Sequence, residues 1–197
     1  MTDFIGQIEF VLETFVSALR DNAALLIGIV GVLWGLNFVN KLLGYRLNYW
    51  GIIPRTGRGL VGIVFSPLLH GDFNHLFFNT FPLIILACFI LIGGQPFFWR
   101  VTISIVLISG GLIWLLGRRA IHIGASAVIT GYWGYLLMNA YRQPSLMAIV
   151  LAVVCIYYFG GLFLGLFPGE EQVSWEGHLF GCLAGIATNF LFPMPVV

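Results

Sequence analysis

Charge is what this sequence has least of. Only 9% of its 197 residues are Asp, Glu, Lys or Arg, where soluble domains carry about 25%, and 59% are hydrophobic. A soluble fold is excluded. Nine basic residues against eight acidic ones leave a net charge of +1, so there is no basic face for nucleic acid and no acidic tail. The partner this composition implies is the lipid bilayer. Cysteine is equally sparse: Cys88, Cys155 and Cys182 are odd in number and each lies in an apolar run, which reads as small core residues and not as a disulfide framework. The four histidines include no pair at the i,i+4 spacing of a helical zinc site and have no acidic companion, so no metal is expected.

What is present is a series of apolar stretches near the roughly 20 residues that a helix needs to cross a bilayer. Six are bounded by charges or histidines: Asp21 to Lys41, His75 to Arg100, Arg100 to Arg118, His122 to Arg142, Arg142 to Glu170, and Glu176 to the end. A shorter run, Leu60 to Leu69, contains Pro67 and reads as re-entrant or interfacial. Residues 1–20 set Ile5, Ile8, Leu12, Phe15 and Leu19 at helical intervals, an amphipathic interfacial helix; their acidic start is unlike a signal peptide. The connection over about 41–74 mixes Tyr45, Tyr49 and Trp50 with Lys41, Arg46, Arg55 and Arg58, a composition suited to the headgroup layer. The expected architecture is an all-α membrane protein, with residues 21–197 as a six-helix membrane domain whose long first loop is partly membrane-embedded.

Polar residues inside spans are costly and serve by default as functional-site hypotheses. The second span opens with His75 and Asn79, four apart and so on one helical face; the fourth opens with Gly124-Ala125-Ser126; the sixth opens with Gly177-His178. With six spans, the second, fourth and sixth run the same way, so these N-terminal ends share one membrane face. A serine hydroxyl becomes a nucleophile only when a base takes its proton, and Ser126 with His178 supplies that pair. The free amides at the start of the fourth helix, with His75 and Asn79, can donate to a developing oxyanion. No carboxylate stands inside a span to orient His178, so a dyad is expected. Gly177, Gly181 and Gly185 on the sixth helix and Ser126, Thr130 and Gly134 on the fourth form small-xxx-small faces that allow close backbone approach. Taken singly, Ser126 reads as a helix cap, Asn79 as interhelical glue, and His70 and His122 as structural or interfacial.

The order and spacing of His70-Gly-Asp-Phe-Asn-His75-Leu-Phe-Phe-Asn79, Gly124-Ala125-Ser126 and Gly177-His178-Leu-Phe-Gly181 resemble the rhomboid family of intramembrane serine proteases, over about residues 23–192. The resemblance implies Ser126 as nucleophile, His178 as general base, and His75, Asn79 and the Ser126 amide as oxyanion donors. It implies supporting roles for His70, Gly124 and Gly181, and no cofactor. The implied substrates are single-span or other membrane-anchored proteins, cut in or next to their transmembrane segments. The implied location is the bacterial inner membrane, with the site facing outward and both termini cytoplasmic. The oligomeric state is left open.

Three features depart from the family pattern. Ala127 follows the nucleophile where Gly is usual, Thr130 stands where an aromatic ring commonly packs on the catalytic histidine, and no Trp-Arg pair occurs in the first loop. The second predicts a loosely held His178 and a site at Thr130 that accepts a ring. A catalytically inactive rhomboid-like protein that binds or escorts membrane proteins is the main alternative. A small transporter is the other, opposed by the absence of an intramembrane carboxylate and of an inverted repeat. Basic residues count against the implied orientation: Arg20, Arg100 and Arg142 lie on one face, and Lys41, Arg46, Arg55, Arg58, Arg118 and Arg119 on the other.

Overall fold

A computed structural model describes residues 2–167 and 174–195. Its helices are α1 (Thr2–Asp21), α2 (Ala23–Leu42), α3 (Gly57–Phe65), α4 (Phe73–Leu91), α5 (Gln95–Leu116), α6 (Ser126–Arg142), α7 (Leu146–Phe159), the single turn α8 (Gly161–Leu164) and α9 (Trp175–Leu191). Among the described residues extended backbone pairs only at Ile52 and His122.

Hydroxyl and carboxylate caps set several of the starts. Thr56 accepts from the Gly59 amide, Asp72 from His75, Ser145 from Ala148 and Ser174 from Gly177, each such cap contributing about 1 kcal/mol. The break between α4 and α5 falls at Gly93-Gly94, where Gly94 takes φ +88°, and Pro96 then opens α5. Arg100, expected to divide the second span from the third, therefore lies inside α5. The fifth apolar stretch is likewise shorter than its charges suggest, because α7 ends at Gly160 and a separate turn follows.

Of these helices, α2, α4 and α5 are long and apolar enough to cross a bilayer. The helices α6 and α9 have 17 residues each and α7 has 14. Large apolar side chains face outward on several of them, among them Ile27, Phe38, Phe78, Phe81, Tyr157 and Phe190, a surface that suits lipid and not water. On α1, Val11 and Ala18 are buried while Ile8, Leu12 and Leu19 remain exposed. Its Phe15 ring meets Phe89 of α4 edge-on at 5.3 Å.

The helix α6 occupies the centre, buried without interruption from Val128 to Leu136. A helix enclosed on all sides must satisfy its polar tips internally, and three neighbours do so. Tyr132 Oη pairs with Thr102 Oγ1 of α5 at 2.6 Å, Trp133 Nε1 donates to the Cys155 carbonyl of α7 at 3.1 Å, and Tyr135 Oη donates to the Phe192 carbonyl after α9 at 2.8 Å.

Against α6 lies α9, parallel and in backbone contact. A Cβ at Gly181 would strike the Ala127 carbonyl and Thr130 Oγ1; one at Gly185 would strike the Gly131 carbonyl; one at Gly134 would lie 2.6 Å from the Cys182 carbonyl. Position 181 thus meets 127–130 and position 185 meets 131–135, which brings the first turns of both helices to the same end. Gly177, expected on this seam, faces only its own cap, Ser174.

Candidate functional site

The turn entering α6 is built on Gly124, whose φ of +114° suits glycine alone. Its amide donates to the Ser66 carbonyl at 2.9 Å, and the next amide, Ala125, donates to His70 Nε2 at 3.5 Å. Ala125 occupies the cap position and supplies no side-chain bond. Ser126 is the first helical residue, and its hydroxyl does not cap the helix. The Ser126 and Ala127 amides find no partner among the described residues, as the start of a helix requires.

The opening turns of α4 lean on this turn. A Cβ at Gly124 would lie 2.7 Å from His75 Nε2 and 3.7 Å from Asn79 Nδ2. Asn79 Nδ2 is buried with no hydrogen-bond partner among the described residues, an arrangement that leaves a desolvated donor unused. His75 Nδ1 accepts from the Gly71 amide at 3.5 Å, so in the neutral ring the proton sits on Nε2, the atom beside Gly124. Four donors therefore border the Gly124–Ala127 turn that presents Ser126: His75 Nε2 and Asn79 Nδ2 beside Gly124, and the Ser126 and Ala127 amides.

His178 enters from the first turn of α9, half-buried, with Nδ1 3.0 Å from the Gly165 carbonyl. The parallel seam brings it to the Ser126 end of α6, and no hydrogen bond joins Ser126 Oγ to His178 among the described residues. Glu176, also in the first turn of α9, is buried, but its Oε1 pairs with Arg118 Nε at 3.3 Å. Thr130 is fully buried, donates to the Ser126 carbonyl at 2.9 Å and packs on Gly181. The expected room for an aromatic ring at position 130 is absent, because the two helix backbones meet there.

Two histidines brace the loops behind the site. His122 Nε2 contacts the Arg118 carbonyl at 3.1 Å and must donate to it, which leaves Nδ1 to accept from Ser174 Oγ at 2.7 Å. His122 thereby ties the α5–α6 loop to the cap of α9. His70 is fully buried beneath the Ala125 turn; its proton-bearing Nδ1 has the Leu68 carbonyl nearby but no well-formed bond. Burial, and then the charge of His75, push the His70 pKa from 6.5 down to about 4. An unfolded chain takes up this proton below about pH 6.5 while the fold resists it until about 4. Stability is therefore full above pH 6.5 and falls as pH drops toward 4, by up to about 3 kcal/mol. Melting of wild type and His70→Gln at about pH 7 and about pH 4.5 is expected to show a markedly smaller pH effect in the variant; equal pH effects would refute the assignment.

Neither motif nor spacing singles out Gly165, His122 or Glu176 as part of this site. The Ser174-x-x-Gly177 cap is a local signal for where α9 starts, but nothing local to Gly165 marks it as a partner of His178. Among the described residues no three His, Cys, Asp or Glu side chains cluster closely enough to hold a metal ion.

A family model described as the rhomboid domain matches residues 57–194, and the chain belongs to the rhomboid family. Together with its apolar helices, this makes it an integral membrane protein. Similar chains include uncharacterized proteins of Mycobacterium tuberculosis and Mycobacterium bovis, each 36% identical over 177 residues, covering 84% of this chain and 73% of the relative. A protein of Acanthamoeba polyphaga mimivirus, named as a candidate rhomboid, is 25% identical over 147 residues, covering 71% of this chain and 80% of its own length.

Proposed function

We propose that this protein is an intramembrane serine endopeptidase working with a Ser126–His178 dyad in a six-span bundle. The observation that carries the reading is the Asn79 donor, unused among the described residues and beside Gly124, two positions before a serine hydroxyl that does not cap its helix. In the proposed reaction Ser126 Oγ attacks the scissile carbonyl carbon as His178 Nε2 takes the hydroxyl proton. The carbonyl oxygen becomes an oxyanion held by His75 Nε2, Asn79 Nδ2 and the Ser126 amide. Collapse of this intermediate breaks the C–N bond, and the proton on Nε2 passes to the leaving amine. Water then repeats the sequence on the acyl-enzyme, restoring Ser126. His70 and Gly124 shape the turn that presents the serine, and Gly181 lets α9 approach it.

The substrates of this reading are membrane-anchored proteins cut in or beside a transmembrane segment. A fluorophosphonate probe tests it: purified protein is expected to label covalently at Ser126, with no labelling in Ser126→Ala. Failure of folded wild type to label would favour the inactive, protein-binding alternative, which the missing Ser126–His178 hydrogen bond supports.

Asn79→Ala is expected to lower turnover by roughly 10- to 1,000-fold with little change in KM, because an oxyanion donor acts only in the transition state. Unchanged turnover with a lowered melting temperature would instead make Asn79 a packing residue. The proposed orientation, with both termini cytoplasmic and the site outside, follows the family against the basic-residue count, since the long first loop folds onto α5 through Arg55 and Trp114 and is not a free topogenic segment. A C-terminal reporter is expected to read cytoplasmic; a periplasmic signal would reverse the orientation.

A further inference from the structure

We propose that the backbone carbonyl of Gly165 orients His178, doing for this base what an acidic side chain does in a three-residue catalytic set. The inference rests on His178 being the base of the proposed reaction. A neutral imidazole carries one proton, and only the bare nitrogen can accept another. A carbonyl oxygen can only accept, so the 3.0 Å contact at Nδ1 holds the proton there and leaves the lone pair on Nε2. That is the tautomer a base at Ser126 requires. The carboxylate of Glu176 makes no hydrogen bond to His178 among the described residues; its Oε1 is paired with Arg118.

The residue supplying this carbonyl sits in a short turn after α8, closed by the Phe163 amide on Gly160 and the Leu166 amide on Phe163 at 3.0 and 3.1 Å. Its backbone, φ −69° and ψ −8°, is open to any L-residue, so conformation does not require glycine there. Space does: a Cβ at 165 would fall 2.6 Å from His178 Nδ1. The glycine lets the ring reach the carbonyl, and an added methyl group would push the ring away without disturbing the turn's dihedrals. This makes Gly165 a positioning residue, acting through His178 and touching no substrate.

The test compares Gly165→Ala with Gly161→Ala, whose Cβ would meet nothing within 4 Å among the described residues, in the full chain in detergent. Gly165→Ala is expected to lower kcat on a single-span substrate by about 10- to 100-fold, as displacement of a base by about an ångström does, with KM unchanged. The acidic limb of its kcat profile is expected to move to lower pH, since the carbonyl stabilises the imidazolium. Gly161→Ala is expected to match wild type. Nitrogen-15 spectra of labelled histidine, with His178 assigned by its loss in His178→Gln, read the tautomer directly and independently of activity. Wild type is expected to show the Nδ1–H form, and Gly165→Ala to lose it. An Nε2–H ring in wild type overturns the proposal even if the variant does not fold, as does a Gly165→Ala protein with wild-type kcat and pH profile. Wild type that shows the Nδ1–H form yet neither labels nor cleaves overturns the protease reading instead.

Discussion

Ser126→Ala and His178→Ala are each expected to abolish cleavage of a single-span substrate by purified protein, by about 10⁴-fold or more, and the double variant to be no slower than either alone. A nucleophile and its base act as one unit, so removing the second costs nothing once the first is gone. What activity remains comes from binding and the oxyanion donors, which neither variant touches. Both variants are expected to stay folded. Among the described residues Ser126 Oγ makes no bond whose loss would weaken the helix, and His178 forfeits one bond to a carbonyl, worth about 1 kcal/mol. The measurement is turnover alongside thermal melting in the same detergent. Full cleavage by folded Ser126→Ala would remove the serine mechanism.

Gly185→Ala is expected to destabilise the protein strongly, while Gly111→Ala leaves its stability unchanged or improved. Alanine is about 1 kcal/mol better than glycine inside a helix, so any loss must come from packing. Nothing lies within 4 Å of a Cβ at Gly111, whereas one at Gly185 strikes the Gly131 carbonyl and lies 2.9 Å from the Tyr135 amide nitrogen. Those obstacles are backbone and cannot change rotamer, so the helices have to part. The resulting loss is expected at the upper end of the overpacking range, about 3 kcal/mol. Monodisperse yield and melting temperature check it; a Gly185→Ala protein as stable as wild type would show that the seam is looser than described.

Much of the candidate site was legible because its parts lie on regular spacing. His75 and Asn79 share a helix face by arithmetic, and small residues four apart mark the α6–α9 seam. The limits of the apolar stretches are less legible, because the charges that bracket them do not mark where the helices end: Gly93-Gly94 closes α4 while Arg100 rides inside α5. The support of His178 was not legible at all. A backbone carbonyl bears no side-chain signature, and a turn brings Gly165 to a ring 13 residues away. Thr130 misled for a related reason. Its place in the motif suggested a missing ring against His178, whereas its surroundings are set by Gly181 on the opposing helix.

The three polar tips on α6 have a mechanical consequence. Tyr132, Trp133 and Tyr135 lie within one turn and fasten to three separate parts of the chain. Turning α6 about its axis by about 20° would carry side-chain atoms at its rim through about 2 Å, beyond what a hydrogen bond tolerates, and would break all three fasteners together. The azimuth of Ser126 is thus locked from about two turns below, and in the proposed reaction any breathing that admits a polypeptide has to come from the surrounding helices while the central spindle stays still.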